Sequence, residues 1–490
     1  MRSPLRKLAP RAPLRTTPVA VSPWAFPLGF AAVVAHFLIS GNLLFLLGVD
    51  YVSAGGNPLV KLHPGTFLAA AGAMLVLLGG GRADGLRRMY QETPALAVFM
   101  TLIPVCAIYS VVSVGFSGVG VYVESYFAPG LVVLALCTGT PRQLRILGYT
   151  VLAFALVNVV ISVGESLTQT HMIPMQIGDV DMEKMQAQAD ADDFRGAALY
   201  DHPLTGALVT ALSVFMLLGM RLPMIVAAPC FTLLLVGLLA FGGRAAMGVT
   251  IALVVIGTAA TLMRGLATRR LSGSFLAALC GGLLVLPPIM VFLVTSTDIG
   301  ARIMSHLYVD DSAQVRNIQW DVLGLLDMRD MLFGVSLERT AVLKTQIGLD
   351  AATTDIENFW LLMFLNLGII GFLVYLVAFF SFLFHLGRRV RNPLGWAMVL
   401  GAVLIASTSN SLGRKSSDLV FLAVCMLPLI GFAEVARHRV VALRPRFALS
   451  AALRRPGGFQ PAPTPAGHTY RMGGEAKRRS HLSLAGMSQP

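Results

Sequence analysis

Charged residues are scarce in this chain, and their scarcity excludes most soluble folds. Only 13% of the 490 residues are Asp, Glu, Lys or Arg, about half of the share usual in a soluble globular protein. Hydrophobic residues make up 56% of the chain, and its mean hydropathy is +0.73. The sequence therefore predicts an integral membrane protein.

Cysteine is sparse as well. The five cysteines lie in or beside apolar stretches and show no Cys-x-x-Cys spacing, which argues against a disulfide framework and a zinc site. The basic residues form no stripe interleaved with aromatic residues, so we expect no nucleic-acid partner. We also expect no cofactor and no bound metal.

Long apolar stretches dominate what is present. Most are close to the roughly 20 residues that a membrane-spanning helix needs. They predict an all-α polytopic membrane protein with about 12 transmembrane helices, in a transmembrane domain that covers residues 24–436. The predicted spans are residues 25–48, 65–81, 94–114, 124–139, 146–164, 200–219, 223–241, 245–263, 274–296, 358–385, 394–411 and 418–436.

The charged residues are divided unequally between the two sides of these spans. Most of the 38 Lys and Arg residues fall on the side that includes both chain ends, and most of the 25 acidic residues fall on the other. Because short cytoplasmic loops are enriched in Lys and Arg, the pattern predicts cytoplasmic termini. The basic tails 1–23 and 437–490 are predicted to be disordered and close to lipid headgroups.

Two outer segments are long enough to form structure. Segment 165–199 is acidic, and segment 297–356 lies between the ninth and tenth spans. Within the latter, a helical repeat of apolar residues predicts an amphipathic helix over 314–326 that lies on the membrane or over the bundle. Arg316 and Trp320 would share the other face of that helix. The repeat consists of Val315, Ile318, Val322 and Leu325.

Among the cations that stand on the outer side against the charge rule, the most informative are Arg244, Arg316, Arg414 and Lys415. Guanidinium groups bind phosphate oxygens in pairs of hydrogen bonds and stay charged when partly desolvated. A lipid diphosphate is one anion that would suit them. Ordinary alternatives exist, because Arg244 could snorkel to headgroups and Arg316 could pair with nearby aspartates. Arg414 and Lys415 could equally be general lipid contacts.

Other polar residues leave alternatives open. Glu357, at the mouth of the tenth span, could be a general base or could form a capping box with Thr354. His202 enters the sixth span and is a candidate to line an outer cavity, whereas His36 is interpreted as a packed, hydrogen-bonded core residue. Pairs of aspartates in 165–199 could hold a divalent cation, but we favour a solvated acidic loop. These pairs are Asp179 with Asp181 and Asp190 with Asp192, and a single Asp50 follows the first span.

The order of short motifs over residues 190–375 resembles that of the O-antigen ligase and polymerase superfamily. The motifs are an Arg-Gly and a His-Pro before a span, a Gly-Gly-Arg hairpin, an outer loop with Arg and Trp four residues apart, and Glu-Asn followed by Leu-Gly-Ile-Ile-Gly. Residues Gly55–Leu59 and His63–Gly65 are similar to those of exopolysaccharide polymerases of the VpsF type. The superfamily motifs are Arg195-Gly196, His202-Pro203, Gly242-Gly243-Arg244, Arg316 with Trp320, Glu357-Asn358 and Leu367–Gly371.

This resemblance implies a metal-independent glycosyltransferase at the outer face of the bacterial inner membrane. Such enzymes transfer a glycan from polyprenyl diphosphate to another lipid-linked repeat unit, in polymerases, or to a core oligosaccharide, in ligases. The resemblance implies catalytic roles for Arg244, Arg316 and Glu357. Glu357 stands where ligases carry His, which favours a polymerase. The implied substrate-binding residues are Arg195, His202, Trp320, Asn358, Arg414 and Lys415.

The expected partners are the polyprenyl-diphosphate-linked oligosaccharide, membrane lipid, a polysaccharide flippase and proteins that control chain length or export. Three alternatives remain at this point: an O-antigen-type ligase, a transporter of lipid-linked sugars, and a non-catalytic subunit of a secretion complex. Few ionisable residues lie within the predicted spans and no pair of broken helices is visible in the two halves of the chain. Both features argue against a transporter.

Overall fold

The structure is a computed structural model, and it describes residues 22–49, 51, 61–79, 82–113, 115–174, 176–177, 180–181, 194–220, 222–268, 273, 317–349, 356–390 and 393–433. The described part is almost entirely helical. Its helices are Ala25–Leu38, Gly41–Leu46, Pro64–Leu78, Arg82–Glu92, Pro94–Ser113, Val119–Leu136, Pro141–Thr168, Pro203–Met220, Met224–Ala240, Arg244–Ala267, Met328–Phe333, Leu337–Gln346, Phe359–Val390, Pro393–Ala406 and Asp418–Met426. Short 3₁₀ helices cover Phe116–Gly118, Gln319–Leu325 and Ser411–Gly413, and two-residue strands cover Gln176–Ile177 and Val180–Asp181.

Six of these helices are long and apolar enough to cross a membrane, and five further apolar helices are shorter. All of the predicted spans except 274–296 coincide with one of these helices, and 274–296 lies outside the described residues. The all-α membrane fold is therefore supported, while the count of about 12 spans stays a prediction. The tails also fall outside the described part, apart from residues 22 and 23.

The first predicted span is not one continuous helix. Its helix ends at Leu38, and a second short helix begins after Ser40, whose side chain accepts a hydrogen bond from the backbone N–H of Leu43 at 3.2 Å. A serine in this position satisfies one of the free donors at a helix start. The run 25–48 was predicted as one span although the polar residues Ser40 and Asn42 stand at this break.

The bundle is held by close helix contacts at small residues. A Cβ added to Gly29 would lie 2.8 Å from the Cβ of Ala135, and one added to Gly237 would lie 2.4 Å from Val159. Aromatic side chains such as Phe382 fill the space between helices and are fully buried. Since lipid is as apolar as the core, such packing rather than hydrophobic exclusion has to hold the helices together.

The Phe359–Val390 helix is broken at Gly368, where φ is +58° and ψ is −179°. A Cβ on this glycine would lie 2.4 Å from the backbone of Gly334 and Leu332. Only glycine adopts such a conformation readily, and only glycine admits a backbone this close. The break divides the helix into a first part that ends at Leu367 and a second part of ordinary spanning length.

The first part of that helix belongs to a small unit with its own core. We call residues 317–349 and 356–367 the loop unit. Its buried side chains pack on one another and form a cluster separate from the core of the bundle. The loop unit is thus a folded element and not a simple connection. The cluster consists of Val322, Leu326, Val335, Leu343, Ile356, Leu361 and Leu365.

The predicted amphipathic helix over 314–326 is only partly correct. Residues Gln319–Leu325 form a 3₁₀ helix, in which positions three apart share a face. Gln319 and Val322 are therefore fully buried, whereas Ile318 and Leu325, which belong to the predicted apolar face, are exposed. Trp320 is also exposed. Arg316 and the start of the predicted helix lie outside the described residues.

The first outer segment begins later than predicted. The Pro141–Thr168 helix contains residues 165–168, and the short strands Gln176–Ile177 and Val180–Asp181 pair in antiparallel fashion after it. Glu165 is therefore a helical residue near the end of a span. Most of the acidic part of 165–199, including Asp179, Asp190 and Asp192, lies outside the described residues, as does Asp50.

Candidate functional site

A stretch of π-helix organises one end of the bundle. Within the apolar helix Val119–Leu136, residues Tyr122–Phe127 form a π-helical segment. The wider π turn changes the direction of successive side chains and is often found at functional positions. Three consecutive side chains in this segment, those of Glu124, Ser125 and Tyr126, hydrogen-bond to separate segments of the chain.

Glu124 binds the start of the Pro64–Leu78 helix. Its carboxylate accepts hydrogen bonds from the backbone N–H of His63 at 2.5 Å and from the hydroxyl of Thr66 at 2.6 Å. The residue is only 1% exposed. A carboxylate inside an apolar helix is costly unless its oxygens are paired, and these two donors supply the pairing.

Ser125 and Tyr126 bind the segment before the Asp418–Met426 helix. The Ser125 hydroxyl donates to the carbonyl of Arg414 at 2.6 Å and accepts from the N–H of Ser416 at 2.9 Å. The hydroxyl of Tyr126 donates to the carbonyl of Leu412 at 2.5 Å. The backbone that carries Arg414 and Lys415 is therefore fixed from both sides by the π segment.

Lys415 contacts Tyr51, which follows the short helix Gly41–Leu46 in the chain. Its Nζ donates to the carbonyl of Tyr51 at 3.1 Å and lies 5.3 Å from the centroid of the Tyr51 ring. The absence of a side chain on Gly120 makes room for the lysine, because a Cβ there would lie 2.3 Å from its Cε.

Asp201 and His202 join the same end of the bundle. The carboxylate of Asp201 accepts a hydrogen bond from the N–H of Gly41, and its carbonyl accepts one from the side chain of Asn42 at 3.2 Å. Burial raises the pKa of Asp201 to about 6, and the charge of Asp418 acts in the same direction. The carboxyl group thus changes charge close to physiological pH.

His202 lies within electrostatic range of two arginines. His202 is exposed, and the pKa of its ring is lowered by the surrounding protein and by the charges of Arg195 and Arg414. Burial also lowers the pKa of the Arg414 guanidinium. The structure therefore brings together three residues that the sequence analysis proposed for substrate binding.

The hairpin that carries Arg244 is joined to the segment of Arg195. The N–H of Gly196 donates to the carbonyl of Ala240 at 3.3 Å, and the helix that follows the hairpin begins at Arg244 itself. Arg244 is exposed at this point. The segments that carry Arg195 and Arg244 are thus neighbours at one end of the bundle.

Glu165 fixes the chain just before this cluster. Its carboxylate accepts hydrogen bonds from the N–H groups of Met172 at 2.7 Å, Ala197 at 2.8 Å and Ala198 at 2.8 Å. Three backbone donors on one carboxylate form a strong anchor. Glu165 was predicted only as the start of an acidic loop, so its role in holding the segment of Arg195 was missed.

Two histidines stack beside the π segment. The rings of His36 and His63 are 4.2 Å apart and nearly parallel. Nε2 of His63 donates to the carbonyl of Ile39 at 2.6 Å, while its Nδ1 accepts from the N–H of Gly65 at 3.0 Å, which fits a neutral ring. His36 bonds through Nδ1 to the Ser417 hydroxyl at 2.9 Å. The interpretation of His36 as a packed, hydrogen-bonded residue is confirmed.

Glu357 and Asn358 belong to the loop unit. Asn358 is the cap of the helix that begins at Phe359, because its Oδ1 accepts from the N–H groups of Trp360 at 3.0 Å and Leu361 at 3.3 Å. Glu357 precedes this cap, and Thr354, its partner in the alternative of a capping box, lies outside the described residues. The N–H of Glu357 donates to the buried side chain of Gln319 at 2.9 Å.

The remaining expectations concern metals and relatives. Among the described residues, no group of three or more His, Cys, Asp or Glu side chains has the arrangement of a metal site. No family model matches the sequence, and no curated protein matches it. The superfamily resemblance therefore stays a proposal based on the motifs alone.

The sequence contained a signal for the residues that were missed. Glu124 is the single carboxylate in the apolar stretch 119–136, and Ser125 and Tyr126 follow it directly. An ionisable residue inside a membrane span indicates a functional site by default. What the sequence could not show is which segments these side chains bind.

Proposed function

We propose that the chain is a polysaccharide polymerase of the bacterial inner membrane, with both termini cytoplasmic. It would join polyprenyl-diphosphate-linked repeat units into an exopolysaccharide or O-antigen-like polymer at the outer face. The proposal assigns the cluster around the π segment to the binding of the lipid diphosphate. Membrane lipid, a flippase and chain-length or export proteins would be its partners.

The observation that carries this proposal is the gathering of cations at one end of an apolar bundle. Arg195, Arg414 and Lys415 come from distant parts of the chain and lie around His202 and Glu124. Their segments are held by backbone hydrogen bonds to Ser125 and Ala240. Such fixed cations suit a diphosphate, whose charge grows as it leaves the sugar.

The chemistry needs a leaving group, a nucleophile and a proton acceptor. The hydroxyl oxygen of the acceptor sugar would attack the anomeric carbon, and the bond from that carbon to the diphosphate oxygen would break with its electron pair. The cations would stabilise the diphosphate that forms. Glu357 would take the hydroxyl proton, and its position before a firmly capped helix gives it a defined place.

A second candidate function is transport of lipid-linked sugars. The structure contains buried ionisable residues, which favour a transporter over a polymerase. Asp418 is the clearest case. It is 2% exposed, and neither of its carboxylate oxygens has a hydrogen-bond partner of good geometry, although the hydroxyls of Ser411 and Thr205 lie nearby. Such residues mark ion pathways in many membrane proteins. The helix broken at Gly368 is also typical of transporters.

A complementation experiment separates these functions. Cells that lack the protein would receive the wild type, Arg414→Ala, Lys415→Ala, or the control Arg339→Ala, which alters a half-exposed cation of the loop unit. The polymerase proposal expects loss of polymer of about 100-fold in the first two variants and normal polymer in the control, at equal protein abundance. In the deletion strain, single repeats should become accessible to labelling from outside. Repeats trapped on the inner face would instead support transport, and normal polymer in both variants would remove the cluster from the mechanism.

A further inference from the structure

The loop unit has an exposed apolar surface opposite its own core. Met328 is 72% exposed, Phe333 50%, Trp320 47% and Met331 37%. Large apolar side chains exposed together on a small helical unit indicate a contact surface. Three of the four belong to the six-residue helix Met328–Phe333.

Contacts to the bundle fix the position of this helix. The hydroxyl of Tyr109 donates to the carbonyl of Phe333 at 2.8 Å. Tyr109 lies four residues before the end of the apolar helix Pro94–Ser113, which corresponds to about 6 Å along the helix axis. The end of Met328–Phe333 therefore packs beside the last turns of a helix that is long enough to span the membrane.

The backbone at this point is satisfied by protein. The N–H of Gly334 donates to the carbonyl of Asp330 at 2.8 Å, and the N–H of Val335 donates to the carbonyl of Leu365 at 2.7 Å. The backbones of Gly334 and Gly368 are in direct contact. Irregular backbone is tolerated at membrane depth only where protein provides its hydrogen bonds, and the break at Gly368 provides such a place.

The surface of the bundle continues the apolar surface of the loop unit. Ile108 and Val112, which flank Tyr109 on its helix, are 67% and 85% exposed. As part of a spanning helix, these side chains face lipid. Arg329 is exposed at the start of Met328–Phe333, and Asp330 pairs with Arg339 at 3.5 Å, so charged groups flank the apolar residues as headgroup contacts would require.

We propose that residues 328–335 form a membrane-inserted wedge. Met328, Met331 and Phe333 dip into the acyl-chain region of the leaflet on the side of the loop unit, beside the exposed end of Pro94–Ser113. A place beside the last turns of a spanning helix is compatible with the insertion of interfacial helices, whose apolar face enters by about 5–10 Å. The exposed apolar side chains of Met328, Met331 and Phe333 are thus covered by lipid and not by a partner protein.

Site-specific fluorescence tests this proposal without any assay of activity. Full-length Phe333→Cys and Met328→Cys would be labelled with an environment-sensitive maleimide dye and reconstituted into phosphatidylcholine vesicles. A matched control is Glu338→Cys, an exposed position in the first turn of Leu337–Gln346 in the same unit. Wild-type protein treated with the dye would give the background from the native cysteines.

The wedge predicts that lipids with a nitroxide on the acyl chain quench the dye at positions 328 and 333 at least about threefold more than at position 338. Aqueous iodide should show the reverse order. Equal iodide access at all three positions would overturn the proposal, and so would protection of 328 and 333 from both quenchers, which would indicate cover by protein. Two probe positions are included so that the test does not depend on one variant. If gel filtration shows that Phe333→Cys misfolds, Met328→Cys still gives the measurement.

Discussion

Replacement of Glu124 tests whether the π segment holds the functional end of the bundle together. Each hydrogen bond to a charged group contributes about 1.5–3 kcal/mol, and a buried donor that loses its partner costs about 1–3 kcal/mol. Glu124→Ala removes two such bonds and leaves the N–H of His63 unpaired. The expected loss of stability is about 3–5 kcal/mol. Glu124→Gln keeps the shape and one acceptor, so it should lose about 1–2 kcal/mol.

Unfolding of purified protein in detergent measures these losses. Thr66→Val removes one of the two bonds and should cost about 1–2 kcal/mol, and combining it with Glu124→Ala should add little, because both changes remove the same interaction. Exposed Glu338→Ala is the control and should change stability by less than about 0.5 kcal/mol. If Glu124→Ala costs less than about 1 kcal/mol, or if its cost adds fully to that of Thr66→Val, then the carboxylate does not anchor this end of the bundle.

Three further predictions concern single positions. Gly368→Ala should destabilise the protein by more than about 2 kcal/mol in the same unfolding assay, because the positive φ and the contact with the loop unit exclude a Cβ. The control is Gly257→Ala, in a helix with open space around the glycine, which should be neutral or stabilising by up to about 1 kcal/mol. The pKa of His202 is lowered from 6.5 to about 4, so between these pH values the native state binds fewer protons than the unfolded state. The free energy of unfolding should therefore fall as the pH drops from 6.5 to about 4, and His202→Gln should weaken this pH dependence. Gly120→Ala should displace the flexible end of Lys415. The amount of polymer should then fall in the complementation assay, while the unfolding midpoint stays near that of the wild type. An unchanged amount of polymer would show that this position of Lys415 is not required.

The two glutamates show where sequence reasoning succeeded and where it failed. Glu357 is a candidate in the sequence because it opens a span in a recognisable motif, and the structure shows that Asn358, one residue later, caps the helix. Glu124 was overlooked because it lies inside an apolar stretch that reads as an ordinary span. The local sequence gives residue type and spacing, but it does not show which distant hydrogen-bond donor a buried carboxylate binds.

The loop unit makes the same point for the fold. The sequence indicated a long outer segment with helical periodicity, and the structure has helices there. The face that turns inward differs, because a 3₁₀ turn places Gln319 and Val322 on the buried side and Gln319 then binds the backbone of Glu357. Periodicity could not choose between 3.6 and 3.0 residues per turn in so short a segment.

The sequence by itself determined that the chain is an all-helical membrane protein and where most of its apolar helices lie. Hydropathy is a local property, and in lipid each helix satisfies its own backbone, so a stretch of side chains is enough to specify it. Only the tertiary structure decided that the π segment fixes the backbone beside Arg414 and Lys415, and that His202 lies within electrostatic range of Arg195 and Arg414. Those contacts join residues up to several hundred positions apart, and they depend on helix packing, on a break at Gly368 and on buried hydrogen bonds that no local pattern encodes.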